Sequence, residues 1–290
     1  RDVKISSNGK WAVINGGWNR RGDTYVKVFR IINDQWRQMG QTLVNDNANG
    51  FGVAVSLSGN GLRLAVGAQS AVFVYEYKIV SNAWNVIGGT IGEINIVTVK
   101  LSDDGSRLVV GAPFYSPNTT STNIGRLRVF DIDGDRNRIK QVGDTMYGSA
   151  KDDKFGNSVA LSTDGSIVAA GTYGVGTDGG NYARVFQFVG NWTQLGDDLV
   201  GTNLDDKAFG WDVSLSGEGN KLAVSSVLYN KYMGRIVIFR LNIKNAWANI
   251  VEVTGLDTYD QEGFSVSMSA NGKYFATSAI EAGSNGLIKN

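Results

Sequence analysis

Six times along this chain an alternating apolar run ends in a Ser-x-Asp-Gly turn, with Asn or Glu sometimes in the third place, and a second apolar run follows. Aligned on the turn glycine, the copies read VKISSNGKWAVING, VAVSLSGNGLRLAVGA, VTVKLSDDGSRLVVGA, SVALSTDGSIVAAGT, DVSLSGEGNKLAVSS and SVSMSANGKYFATSA. The glycines are Gly9, Gly61, Gly105, Gly165, Gly219 and Gly272, spaced 52, 44, 60, 54 and 53 residues apart. Self-similarity at this period calls for a solenoid or propeller reading first. The unequal spacings imply variable loops on a fixed core.

Within a copy, the first run alternates: Val159 and Leu161 point one way, and Ser158, Ala160 and Ser162 the other. The Asx-Gly or Glu-Gly pair supplies the positive φ of a tight hairpin. A second run such as 108–112 is apolar on both faces and is therefore buried on both. Third strands are expected at 26–31, 72–77, 126–130, 184–188 and 235–241, and fourth strands at QWRQMG, AWNVIGG, RIKQVG, NWTQLG and AWANIVEV. Four antiparallel strands every 50 or so residues describe one blade of a β-propeller. The small polar face of the first strand lets neighbouring blades approach near the axis. The expected fold is thus all-β, one propeller over residues 1–290, with six blades and seven as the alternative. The sixth copy reaches only GLIKN in its third strand, so the last blade is expected to be incomplete and the chain to be part of a longer protein.

The strings FGNSVALSTDG…VAAG, FGVAVSLSGNG…LAVGA, FGWDVSLSGEG…LAVSS and LVVGAP resemble FG-GAP-type repeats, the propeller blades of integrin α chains and of many secreted or surface proteins. Only Phe51-Gly52, Phe155-Gly156 and Phe209-Gly210 keep the FG pair, and only Gly111-Ala112-Pro113 the full GAP. The resemblance implies an extracellular or cell-surface interaction module. It would also imply calcium loops between FG and GAP, but that interval here holds only a turn such as 162–165, too short to wrap a cation.

Composition narrows the chemistry. The chain has no Cys and no His, which removes thiol nucleophiles, disulfides, Cys/His zinc sites and His-dependent triads. Net charge is +1 without a Lys/Arg run, so no nucleic-acid or anionic-membrane footprint is expected. No apolar window approaches the roughly 18 residues of a membrane span. The calcium-like string DIDGDRNRIKQV has Gly134 fourth and Val142 twelfth, where an EF-hand loop needs Gly sixth and Glu twelfth, and it aligns with hairpins of other copies. Neither a cofactor nor a metal is expected. Adjacent carboxylates at Asp152-Asp153 and Asp205-Asp206 recur between copies and read as loop capping rather than a glycosidase pair.

Trp36, Trp84, Trp192 and Trp247 share one fourth-strand position, taken by Ile139 in copy three, and are expected in the core. Trp18, Tyr115, Tyr173, Tyr229 and Tyr232 fall instead in the variable loops between second and third strands, and Trp211 follows an FG pair where other copies carry Asn, Val or Ser. In a propeller those loops share a face with the blade-joining loops, which carry Asp46, Asp152, Asp153, Asp205, Asp206 and Asp260. Aromatics beside carboxylates suit a protein or glycan partner. The candidate rim is therefore Trp18, Tyr115, Tyr173, Trp211 and Tyr229 with Asp153 and Asp206. A non-enzymatic binding or scaffold module is the first functional expectation, a lectin-like carbohydrate binder the alternative, and a propeller hydrolase the remote third. The sequon at Asn118 is a possible N-glycosylation site.

Overall fold

A computed structural model describes residues 3–16, 24–92, 98–118, 122–174, 180–201 and 206–280. Each repeat forms one antiparallel sheet in which consecutive strands pair. Blade one is β1 (Val3–Ile5), β2 (Trp11–Gly16), β3 (Tyr25–Ile32) and β4 (Gln35–Gln38). Blade two is β5 (Ala54–Leu57), β6 (Arg63–Gly67), β7 (Ala71–Lys78) and β8 (Ala83–Gly92). Blade three is β9 (Thr98–Leu101), β10 (Arg107–Ala112), β11 (Arg126–Asp133) and β12 (Arg138–Gln141), with β13 (Met146–Tyr147) pairing β11 farther along. Blade four is β14 (Ser158–Leu161), β15 (Ile167–Gly171), β16 (Tyr182–Phe188) and β17 (Trp192–Gln194), with β18 (Leu199–Val200) on β16. Blade five is β19 (Phe209–Leu215), β20 (Lys221–Ser226), β21 (Arg235–Leu241) and β22 (Trp247–Thr254). Of blade six, the hairpin β23 (Ser265–Met268) and β24 (Phe275–Ser278) is described. The fold is an all-β propeller, and the boundaries expected for third strands fall within three residues of those of β3, β7, β11, β16 and β21.

The Ser-x-Asx-Gly signature has a local cause. In blade four the Ser162 hydroxyl donates to Asp164 Oδ1 at 2.7 Å and accepts the Ile167 N–H at 2.9 Å. Blades one and three repeat the pattern at Ser6 and Ser102. The hydroxyl thereby closes the hairpin from inside, and the carboxylate, which partial burial pushes up but the Ser162 hydroxyl and the Ser166 N–H and hydroxyl hold below its ordinary pKa, fixes the hydroxyl. Gly165 sits at φ +70, and a Cβ there would also lie 2.9 Å from Arg107 Cβ of the preceding blade. Gly165→Val should therefore cost about 2–4 kcal/mol, strain at positive φ and crowding together. Urea unfolding checks this, and an unchanged midpoint would contradict the assigned turn.

Blades join through four recurring devices. At the turn end, a belt of main-chain hydrogen bonds runs round the axis: Gly59 N–H to Asp103 O (2.7 Å), Asp103 N–H to Thr163 O (3.0 Å), Thr163 N–H to Gly217 O (2.9 Å) and Gly217 N–H to Ala270 O (2.8 Å). Along the inner strands, the small polar face is bonded as well as small. Ser56 Oγ accepts the Leu101 N–H, Ser214 Oγ the Met268 N–H, and Ser158 Oγ donates to Gly210 O. At the FG end, the last glycine of β10 and of β15 lies against the carbonyl of Gly156 or Gly210 in the next blade, leaving no room for a Cβ, while Phe51, Phe155 and Phe209 are fully buried.

The fourth device lies outermost. Trp84, Trp192 and Trp247 donate their indole N–H to Met39 O (2.9 Å), Val142 O (2.9 Å) and Leu195 O (2.8 Å) of the blade before, each ring lying over the glycine that follows. That explains the glycine closing QMG, QVG and QLG. Trp84 and Trp192 are buried and Trp247 half-buried, but Trp36 is 48% exposed. The expectation that all four are core is corrected at Trp36, because no preceding blade offers it a carbonyl among the described residues.

Candidate rim of aromatic side chains

Second strands end, and first strands begin, on the same side of the disc, so topology puts Tyr115 (after β10), Tyr173 (after β15), Tyr229 (after β20) and Trp211 (start of β19) on one face. All four are partly exposed. Trp18 lies outside the described residues.

Two of the four meet. The rings of Tyr173 and Trp211 pack edge-to-face with centroids 4.9 Å apart, and Trp211 meets Phe264 at 5.4 Å. The Trp211 indole N–H donates to Phe264 O at 2.9 Å, and Asn157 Nδ2 to Trp211 O at 3.2 Å. Lys154 Nζ stands 4.8 Å from the Tyr173 centroid, a cation on a ring face. The result is an arc at the inner ends of blades four, five and six, aromatic with one cation at its margin.

The other two stand apart. Tyr115 lies between Tyr147 (5.9 Å) and the Arg126 guanidinium (3.8 Å) over blade three. Tyr229 covers Arg235 at 4.7 Å. Phe264 was passed over in the sequence although it carries a signal. It lies eight residues before Gly272, as Trp211 lies eight before Gly219. The stacked, exposed pair Tyr232–Tyr259, 5.7 Å apart, lies on the same face in loops that no repeat alignment joins.

The two acids proposed as polar rim contacts are corrected. Asp153 is 1% exposed. Its Oδ2 accepts the N–H of Ser149 (2.7 Å) and Ala150 (2.8 Å) and the Tyr182 hydroxyl (2.7 Å), and its Oδ1 accepts the Gly180 N–H (2.7 Å). Burial, reinforced by this carboxylate, pushes the Tyr182 hydroxyl well above its ordinary pKa, so it remains a donor. Asp260 repeats the motif by accepting the N–H of Leu256 and Asp257. Asp206 is buried against Arg235, whose guanidinium also reaches Glu252 at 3.4 Å. The acids tie loops to blades, and neither Asp153 nor Asp206 offers an oxygen to a partner from the surface.

Asp212, among the described residues, is a carboxyl pushed above its ordinary pKa. Burial pushes it to about 6, against N–H donors from Val266 (2.8 Å) and Val213 (3.0 Å) and the Lys4 charge. Raised acids cluster at catalytic centres, but both oxygens here are taken by main chain, one of them across the blade five–six boundary. Because the folded-state pKa lies above the unfolded one, this group favours folding fully below pH 4 and loses that contribution as pH rises through 6. The ceiling is about 3 kcal/mol, from the size of the shift. The stability of Asp212→Asn relative to the parent should accordingly rise by up to about 3 kcal/mol between pH 4 and pH 7.5, on top of a pH-independent cost, since asparagine keeps one acceptor for two main-chain N–H donors. Urea midpoints of both chains at the two pH values check the sign, and a pH-independent difference would refute it.

Asn118 is exposed. Among the described residues no group of three or more acidic side chains is placed to hold a metal ion, and no helix is long and apolar enough to cross a membrane.

No family model and no curated protein sequence matches this chain. Solved structures do. It is similar to a periplasmic gluconolactonase of Pseudomonas aeruginosa (14% identity, TM-score 0.62, covering 95% of this chain and 77% of that one). It is also similar to a functionally unknown protein of Desulfotomaculum acetoxidans (14%, 0.63, 96% and 78%) and to the hydrazine synthase of Kuenenia stuttgartiensis (16%, 0.59, 95% and 72%). Identity this low, across such different activities, carries the fold and nothing of function. The chain is a β-propeller of four-stranded antiparallel blades.

Proposed function

We propose that this protein is a non-enzymatic binding module of FG-GAP-type blades, acting outside the cell, whose working surface is the arc Tyr173–Trp211–Phe264. One observation carries the reading: three neighbouring blades each place a partly exposed aromatic at the same inner end, at positions the blade core does not require. The repeat tolerates Val53 and Asn157 where Trp211 stands, so the ring there is an addition to the fold. Rigid aromatics of this kind anchor interfaces at small entropic cost. A protein partner presenting apolar side chains and an acidic group fits best, because the acceptors that would hold sugar hydroxyls, Asp153 and Asp206, are buried. The lectin reading rests on the Tyr173–Trp211 ring pair alone. A hydrolase finds no support, since Asp212, the raised acid, is enclosed by main-chain donors.

A peptide array and a glycan array, probed in parallel with the parent chain and with Trp211→Val, separate the readings. Peptide hits that the variant loses support the proposal. Glycan hits that it loses favour the lectin, and hits of either kind that it retains remove the arc from the account.

A further inference from the structure

The opening between blade six and blade one carries both halves of an interface that the rest of the molecule repeats. Wherever two blades meet, the first side chain of a second strand lies on the turn glycine of the next blade: Trp11 on Gly61, Arg63 on Gly105, Arg107 on Gly165, Ile167 on Gly219 and Lys221 on Gly272. Tyr274 holds that place in blade six and is 73% exposed, while nothing lies within 4 Å of where a Cβ of Gly9 would be. The belt likewise stops at Ala270, whose N–H finds no acceptor among the described residues. In blade one, the apolar side of β1 is bare. Val3 is 58% exposed, whereas its counterparts Val55, Val99 and Val213 are buried. Trp36, 48% exposed, holds the repeat position at which three counterparts each donate an indole N–H to a carbonyl of the blade before.

We propose that this opening is the seat of one further blade of the same repeat, contributed by polypeptide outside these 290 residues. Its requirements follow from the five existing junctions. A turn glycine must lie under Tyr274, a side chain two residues later must cover Gly9, and a belt residue must bridge Ala270 N–H and the Ser7 carbonyl. A fourth-strand carbonyl must accept the Trp36 indole N–H. No direct Tyr274–Gly9 or Ala270–Ser7 contact exists, which is what six blades closing on themselves would need. Solved propellers similar to this one are longer, the chain spanning 72–78% of three of them.

Residues 157–210, copied ahead of Arg1, supply every required group, with Ile167, Gly165, Thr163 and the Leu195 carbonyl in the stated roles. Indole N–H exchange, read by NMR on both chains, compares Trp36 with Trp84, Trp192 and Trp247. In the extended chain Trp36 exchange should slow by about tenfold, as a hydrogen bond closing over it would produce, and the chain should sediment as a monomer. An extended chain whose other indoles keep their shifts while Trp36 exchanges as before would overturn the proposal. Protection of Trp36 already present in a dimer of the shorter chain would overturn it too, making a second copy the occupant. Should the extension fail to fold, Trp36→Ala in the natural full-length polypeptide decides. It should lower Tm as much as Trp192→Ala does, and a negligible change there would reject the blade.

Discussion

Replacing Trp192 by Ala lowers the unfolding free energy by about 3–5 kcal/mol, the range for deleting a buried indole, whereas Trp36→Ala in the same chain changes it by less than about 1 kcal/mol. The two residues hold one repeat position, yet Trp192 is 9% exposed and Trp36 48%. Trp192 loses more than apolar area on truncation. Its N–H bond to Val142 O, its contact with Gly143 and its packing on Phe188 (centroids 5.1 Å apart) all cross or brace the junction of blades three and four. Chemical denaturation of both variants measures the pair. Equal losses would mean that the indole stabilises its own blade rather than the junction.

Asp153→Ala should cost about 3–4 kcal/mol, because three main-chain N–H groups and the Tyr182 hydroxyl lose their acceptor in a buried site. Asp152→Asn, next in sequence, should cost under about 1 kcal/mol, since asparagine tolerates the positive φ found there. Thermal melts of the two variants distinguish a loop anchor from a solvated acid pair. A mild effect at Asp153 with lost binding would return it to the rim.

The blades were legible because their signals are local and periodic. Alternation at Val159 and Leu161, the turn at Gly165 and the apolar run of β15 each reflect backbone geometry that recurs at every blade. Loop acids were legible only in part: the pair Asp152-Asp153 reads as loop capping, and Asp153 does cap a loop, but its burial has no such signal. Asp153 and Asp260 read as surface residues because they sit in polar loops, and what buries them is a turn folding back over the side chain, an arrangement without sequence periodicity. Trp36 shows the converse failure. Its repeat position marks it as core, but burial there depends on a neighbouring blade, which the position itself cannot supply. The arc was half legible: Tyr173 and Trp211 stand out as departures from the repeat, while Phe264 hides in a copy that had lost its FG pair.

Binding and stability measured on the same three variants test the working face most directly. Against whichever array hit the parent chain binds, Tyr173→Ala and Trp211→Val should each weaken affinity by about tenfold or more, as interface anchors do, with Tm held within about 3 °C. Trp192→Ala should do the reverse, lowering Tm by roughly 6–12 °C while the still-folded protein binds as the parent does. Parental affinity in both Tyr173→Ala and Trp211→Val, with Tm unchanged, would contradict the account.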